Sequence, residues 1–146
     1  MKIRRFEKSD LNNLYVTLSD PDVMTYIEDP YTLEQTKEML DDVLSDETPN
    51  IYAAEDDEGR YVGYVIYHEY DDGEYELGWL LNKSEWGKGY ACRLTEMMIE
   101  DAKKKGVNAV IECDPEQQVT KHIAEKYGFK YVEFFDGCDV YKLKLV

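Results

Sequence analysis

The stretch EYELGWLLNKSEWGKGYA, residues 74–91, begins as an alternating, strand-like run and ends in glycines that surround Lys88. The apolar residues after Gly89 recur at helical spacing, so the glycines lie where a strand passes into a helix. The N-terminus of a helix exposes unpaired N–H groups and the positive end of its dipole, which together attract anions. The stretch therefore predicts either an anion site or a tight turn that needs glycine only for its backbone angles.

The segments after this stretch predict a helix, a strand and a further helix. Four apolar side chains share one helical face: Ala91, Leu94, Met98 and Ala102. Three lysines and Gly106 then provide stop signals for this helix. The continuous apolar run VNAVIEC, residues 107–113, predicts a buried strand, and QQVTKHIAEKYG, residues 117–128, predicts a helix. The inward side chains expected on that helix are Val119, Ile123 and Tyr127.

Two helices are predicted ahead of most of the sheet. Ser9 or Asp10 can cap the first helix. Its expected apolar face consists of Leu11, Leu14, Tyr15 and Leu18. Thr32 and Gln35 have the spacing of a capping box, and helical periodicity then continues to about Ser45.

The remaining runs predict strands joined by acidic, glycine-containing turns. These strands are residues 2–6, 50–55, 60–70 and 74–82. The last two runs, residues 129–135 and 140–146, predict a hairpin around Asp136-Gly137. The resulting order, βααβββαβαββ, indicates a single α/β domain, residues 1–146, with a mixed sheet flanked by helices.

The charge of the chain limits its partners. The 32 acidic residues outnumber the 17 basic ones, which gives a net charge of −15. Nucleic-acid binding is disfavoured because binders of the phosphate backbone usually carry a basic face. A cationic partner such as an amine, a polyamine or a basic peptide suits this charge, although the same charge also serves simply to keep a protein in solution.

Other features predict a cytoplasmic protein that does not associate with membranes. No apolar run is long enough to span a bilayer, and MKIRRFEKSD, residues 1–10, lacks the apolar region of a signal peptide. The three scattered cysteines, Cys92, Cys113 and Cys138, fit a reducing compartment better than a disulfide framework. Motifs for a P-loop, a dinucleotide fold, a nucleophile elbow and a zinc site are absent, so no metal is expected.

The chain as a whole resembles the GNAT superfamily of N-acetyltransferases, and within it the RimJ/RimL-like branch. Three segments in the correct order carry the likeness: residues 3–27, residues 75–98 and TKHIAEKYGFKYVE, residues 120–133. The resemblance implies a GNAT-type fold with a mixed, mostly antiparallel central sheet. It also implies an enzyme that moves an acetyl group from acetyl-CoA to a primary amine, which attacks the thioester directly.

The resemblance places coenzyme A along the strand and glycine loop of the opening stretch. The family pattern [QR]-x-x-G-x-[GA] falls on residues 86–91, where Gly89 and Ala91 match and Trp86 replaces Gln or Arg. Backbone N–H groups of this loop would hold the pyrophosphate, so an acidic protein can bind a polyanion. The implied cofactor-binding residues are Leu80, Leu81, Trp86, Gly87, Lys88, Gly89, Tyr90, Ala91, Gln117 and Thr120.

The resemblance also suggests catalytic groups. The N–H of Leu81 would polarise the thioester carbonyl and stabilise the oxyanion that develops. Glu76 would act as general base, directly or through water, or is an ordinary outward-facing strand carboxylate. His68 and His122 have a suitable intrinsic pKa for the same role, but each is also explained as a surface or packing residue.

The general acid of the family does not match this sequence. Many relatives have a tyrosine four residues before the glycine of Gly128-Phe129, where this chain has Ala124. Tyr127, one turn away, is the candidate replacement, although its spacing puts it on the apparent core face. The missing acid also supports an alternative of a different class, a non-catalytic acyl-CoA-binding or sensing module of the same fold.

The acceptor is the least determined part of the resemblance. In the family the region before the second helix walls the acceptor pocket, so Glu28, Asp29 and Tyr31 would receive a cationic amine, unless Pro30 marks a simple capped loop. Small amines, polyamines, antibiotics and protein N-termini all remain possible acceptors. The terminal hairpin, residues 129–146, could supply the edge of a homodimer.

Overall fold

The computed structural model describes residues 1–146, and its helices and strands follow the expected order. The strands are β1 (Lys2–Arg4), β2 (Ile51–Glu55), β3 (Tyr61–Asp71), β4 (Glu74–Leu81), β5 (Asn108–Cys113), β6 (Lys130–Phe135) and β7 (Cys138–Leu143). The helices are α1 (Leu11–Leu18), α2 (Leu33–Ser45), α3 (Tyr90–Lys105) and α4 (Gln118–Lys126). None of the helices combines the length and the apolar character that crossing a bilayer requires.

The seven strands form one sheet in the order β1-β2-β3-β4-β5-β7-β6. Every neighbouring pair is antiparallel except β4 and β5, which run parallel. The expected mixed, mostly antiparallel sheet is therefore confirmed. Because β7 lies between β5 and β6, the closing hairpin leaves β6 at the edge of the sheet.

Alternate side chains of β4 contribute to two separate cores, one on each face of the sheet. Leu77 and Leu81 pack in the larger core with side chains from α3 and α4. Leu80 packs in the smaller core with side chains from α1 and α2. This alternation follows from the two-residue period of a strand, and it shows that helices cover both faces.

Local sequence signals set the ends of the two longest helices. At the start of α2, the Gln35 N–H donates to Thr32 Oγ1 at 3.2 Å and the Thr32 N–H donates to Gln35 Oε1 at 2.8 Å. The capping box is therefore formed as expected. Helix α3 ends at Gly106, whose φ of 72° is the left-handed conformation that glycine adopts without a steric cost.

The structure corrects two expectations about individual elements. The first strand ends at Arg4 rather than at residue 6, and the chain then leaves the sheet to form a capping box in which the Glu7 N–H donates to Asp10 Oδ2 at 2.8 Å. Val119, which was expected to face inward, is 73% exposed. It lies in the first turn of α4, beyond the end of β5, where the sheet offers no apolar surface to cover it.

Candidate active site

Strands β4 and β5 separate to form a V-shaped cleft. They pair at only three positions, and the last of these joins Glu76 to Val110. Beyond this point β4 continues to Leu81 bonded to β3 alone, and β5 continues to Cys113 bonded to β7 alone. The edge of β4 that faces β5 therefore has unpaired backbone groups from Leu77 onward.

The alternation of backbone groups decides which amides face this cleft. The N–H of Asn82 donates to Val62 O, on β3, at 2.9 Å. The Leu80 carbonyl also faces β3, so closely that a Cβ on Gly63 would overlap it. Because polar groups of successive residues point to opposite edges, the N–H and C=O of Leu81 face the cleft, whereas those of Leu80 do not.

Glycine is required in the loop for conformation, and it also leaves the loop open. Gly87 and Gly89 have φ values of 78° and 79°, and nothing lies within 4 Å of a Cβ built on either residue. The N–H groups from Gly87 to Cys92 have no hydrogen-bond acceptor within the chain. A curved run of free N–H groups at the start of a 16-residue helix is a favourable anion site.

Two basic residues of the loop and the first turn of α3, Lys88 and Arg93, already have carboxylate partners. Lys88 Nζ lies 2.7 Å from Glu85 Oε2, and Glu85 is only 7% exposed. Arg93 Nη2 lies 3.1 Å from the carboxylate of Asp57. Any anion held by this loop therefore depends first on backbone N–H groups, because both cations are neutralised by neighbouring carboxylates.

Trp86 connects the loop to the cleft in a way that the sequence did not suggest. Its indole Nε1–H donates to the Leu81 carbonyl at 3.0 Å, while 48% of the residue stays exposed. The bond occupies the cleft-facing carbonyl at the end of β4 and leaves the Leu81 N–H free. The indole therefore fixes the position of the loop relative to the last residue of the strand.

The first turn of α4 borders the other side of the cleft. Since β4 and β5 run parallel, α3 and α4 both begin at the end of the sheet where these strands have parted. Gln117 precedes α4, and its side-chain Oε1 accepts a hydrogen bond from the Asp114 N–H at 2.9 Å. Thr120 is half-exposed in the first turn. The residues expected to contact the cofactor thus lie on both sides of one cleft.

Glu76 and His68, two candidate bases, are cross-strand neighbours. His68 Nε2 lies 3.5 Å from Glu76 Oε1, and this contact raises the pKa of His68 above its ordinary value. Both side chains lie on the face of the sheet that α1 and α2 cover, at the point where the cleft begins. His122 is exposed on α4, on the opposite face.

Tyr127 is held between the two helices that follow the cleft. Its hydroxyl donates to Glu96 Oε1, on α3, at 2.8 Å. Burial and the neighbouring Glu96 carboxylate raise the pKa of Tyr127 above its ordinary value. Ala124, at the position of the family tyrosine, is completely buried in the larger core.

A cavity of about 450 Å³ lies between the segment that precedes α2 and the end of β5. Three carboxylates line it: Glu28, Asp29 and Asp114. Tyr31 lies beside it, and the Glu28 carboxylate with partial burial raises the pKa of Tyr31 to about 12. Asp114 was missed from the sequence, although a polar residue directly after a buried strand is a recognisable signal.

A larger groove, about 570 Å³, lies along the exposed side of α3 and includes no residue of β4 or β5.

The comparison with protein families assigns this arrangement. Residues 1–130 match the model of the acetyltransferase (GNAT) domain. The chain belongs to the GNAT family. The expected fold and the expected N-acetyltransferase class are thereby confirmed.

Individual relatives agree with this assignment. The chain is 29% identical over 140 residues to YnaD, an uncharacterised N-acetyltransferase of Bacillus subtilis (strain 168), with 93% of this chain and 82% of YnaD covered. A GNAT-family acetyltransferase from Bacillus anthracis superposes with a TM-score of 0.84 at 27% identity, over 96% of this chain and 90% of that one. The aminoglycoside acetyltransferase AAC(6')-Ib, solved in complex with coenzyme A, superposes with a TM-score of 0.80 at 25% identity, over 97% of this chain and 92% of that one.

Proposed function

We propose that this GNAT domain transfers the acetyl group of acetyl-CoA to a primary amine, which attacks the thioester directly. One observation carries the proposal. The unpaired edge of β4 leads to the run of free N–H groups from Gly87 to Cys92. An extended pantetheine arm would pair with the strand edge, and the pyrophosphate would bind the loop. AAC(6')-Ib, which has the same fold, was solved in complex with coenzyme A, and this supports coenzyme A as the ligand.

The acyl end of the cofactor would lie against Leu81. Its N–H faces the cleft, so it is available to donate to the thioester carbonyl, where negative charge develops during attack. Trp86 holds the Leu81 carbonyl, in the next peptide unit, and so anchors the residue that carries this N–H on its C-terminal side. Lys88, Tyr90 and Ala91 complete the loop, and Gln117 and Thr120 would line the pantetheine arm from the α4 side.

Glu76 would accept the proton of the attacking amine, directly or through water. It is the last residue of β4 to pair with β5, and its side chain lies on the face of the sheet opposite α3. His68 Nε2 lies 3.5 Å from the same carboxylate, so the two side chains form an ion pair when His68 is protonated. Tyr127 remains the candidate acid, and protonation of the departing thiolate would require its hydroxyl to release Glu96.

A small cationic amine is the acceptor that the pocket supports best. The cavity beside the cleft is lined by carboxylates on the acceptor segment and at the end of β5, and Tyr31 lies beside Glu28. The net charge of −15 would raise the local concentration of a cation. The name of AAC(6')-Ib shows that a protein with this fold acts on an aminoglycoside, which is a polycation. We also infer that the chain belongs to the RimJ/RimL-like branch. The loop sequence, in which Trp86 replaces the Gln or Arg of the family pattern, supports this inference.

The alternative from another class is a module that binds acyl-CoA without turnover. Ala124 favours it, because no tyrosine occupies the usual acid position. The two functions are separated by measuring acetyl-CoA binding by calorimetry and coenzyme A release against a panel of diamines, polyamines, aminoglycosides and peptide N-termini. The enzyme gives acceptor-dependent release, fastest with polycations. Tight binding without release on any acceptor would favour the module, and no binding at all would remove both.

A further inference from the structure

Strand β6 is an exposed, apolar edge of the sheet. It pairs only with β7, so the backbone groups along its outer side have no partner strand. All six of its residues are exposed, and four are large and apolar: Tyr131 (55%), Val132 (48%), Phe134 (59%) and Phe135 (59%). Exposed apolar edges of this kind favour association.

The apolar side chains of β6 lie on both faces of the sheet. Tyr131 lies opposite Tyr141, which packs in the core beneath α3 and α4. Phe135 lies opposite Cys138, on the face that α1 and α2 cover in part. A helix docked at this edge would cover only one of these faces. Another strand would cover both, because its side chains alternate between the two faces and its backbone completes the open hydrogen bonds.

The charges of β6 suit pairing with a second copy of the same strand. The segment KYVEFF contains one lysine and one glutamate, so it is neutral in a chain of net charge −15. The strand itself therefore adds no net charge repulsion when two copies meet along this edge. A bulge at Val132 places Lys130 and Glu133 on the same face. In the pairing with β7, the bulged Val132 has no partner and is left out of the count. Counted in the same way, antiparallel pairing about a two-fold axis at Tyr131 sets Lys130 of each copy opposite Glu133 of the other.

We propose that a second copy of this chain binds β6 by antiparallel edge pairing and continues the sheet across a two-fold axis. The two ion pairs fix the register, since opposite charges across a pair of strands stabilise it and like charges destabilise it. Pairing about Glu133 instead would place two glutamates opposite each other, which disfavours that register. The inference does not depend on the proposed catalytic function.

The surface is tested by sedimentation velocity over a wide range of micromolar concentrations. The wild-type chain should sediment as a dimer, and Phe134→Lys should sediment as a monomer, because a charge would enter the apolar edge. Val119→Lys is the matched control, since Val119 is 73% exposed and lies on α4. Circular dichroism would check that both variants fold. A monomeric wild type, or a Phe134→Lys variant that dimerises as tightly as wild type, overturns the proposal.

The register is tested by charge reversal. Lys130→Glu and Glu133→Lys alone should each raise the dissociation constant of the dimer about tenfold, because each variant sets like charges opposite each other twice. The double variant K130E/E133K restores both ion pairs in reversed order and should return the constant close to that of wild type. Single variants that dimerise like wild type, or a double variant weaker than both, would overturn this register.

Discussion

At the scale of single residues, Gly89 combines a conformational requirement with a binding requirement. Its φ of 79° favours glycine, and the space around it is open. Gly89→Glu would place a carboxylate where the pyrophosphate binds, so we expect acetyl-CoA affinity to fall about 100-fold, as measured by calorimetry. Gly59→Glu is the matched control, because Gly59 has a φ of 80° and is equally open. Equal losses in the two variants would mean that the loop does not hold the anion.

Glu76 is the residue on which the proposed proton transfer depends. Replacing it by Gln keeps its shape but removes the base, so acetyl transfer should slow by about 100-fold or more while acetyl-CoA still binds. The same change should lower the pKa of His68, because the Glu76 hydrogen bond is the main cause that raises it. Steady-state kinetics across pH and NMR titration of His68 measure the two effects.

Glu69→Gln is the control for this prediction, since Glu69 is an exposed carboxylate next to His68 on the same strand. It should leave the rate unchanged. A rate and a pH profile of Glu76→Gln that match wild type would assign the base to another group, even if the pKa of His68 moves as expected.

At the scale of elements, the bond from Trp86 joins the cofactor loop to β4. Trp86→Phe keeps an aromatic ring but removes the Nε1–H donor to Leu81. The loss of one hydrogen bond, about 1 kcal/mol, should lower kcat several-fold, because residue 81, which carries the N–H donor, is then less firmly held at its carbonyl side. The melting temperature should change little, since the indole is half-exposed. A loss confined to affinity would mean that Trp86 only contacts the cofactor.

The sequence predicted the elements far better than it predicted their contacts. The capping box of Thr32 and Gln35, the glycine stops and the strand periods are local signals, so the order of elements follows from them. The separation of β4 and β5 is not local, because it depends on β5 finding β7 as its second partner.

The candidate site shows the same difference between local signals, which the sequence reveals, and contacts between distant segments, which it does not. The glycine turn at residues 86–91 could be predicted because a glycine turn before a helix is a local pattern, and its role as a cofactor loop stays a prediction. The Trp86–Leu81 bond, the His68–Glu76 pair and Asp114 in the acceptor cavity depend on segments meeting in space. Val119 was misplaced for a related reason, since helical periodicity gives a face but not the extent of the sheet beneath it.

At the scale of the whole molecule, Asp10 helps to hold the N-terminal strand and the first helix together. It is 2% exposed, and the Arg4 guanidinium donates to both of its oxygens at 2.8 and 2.9 Å. Burial opposes ionisation, but the hydrogen bonds from Arg4 and neighbouring groups outweigh it and lower the pKa to about 2. Arg4 also donates to Glu55 at 2.6 Å, so one side chain links three segments.

A carboxyl group with a lowered pKa in the folded state stabilises the protein above its ordinary pKa. For Asp10, whose pKa falls from 3.8 to about 2, this contribution is about 2 kcal/mol near neutral pH. It should be lost as the pH falls from about 4 to about 2, because in this range protons bind the unfolded chain, whose Asp10 has the higher pKa, in preference to the folded one. Asp10→Asn removes the titrating group, so the stability difference between wild type and variant should be constant near neutral pH and shrink through this acid range.

Urea unfolding at a series of pH values measures this difference in the free energy of unfolding. The control is Asp72→Asn, because Asp72 lies in an exposed turn without an ion pair. A difference that does not depend on pH would show that Asp10 acts by packing rather than by its charge.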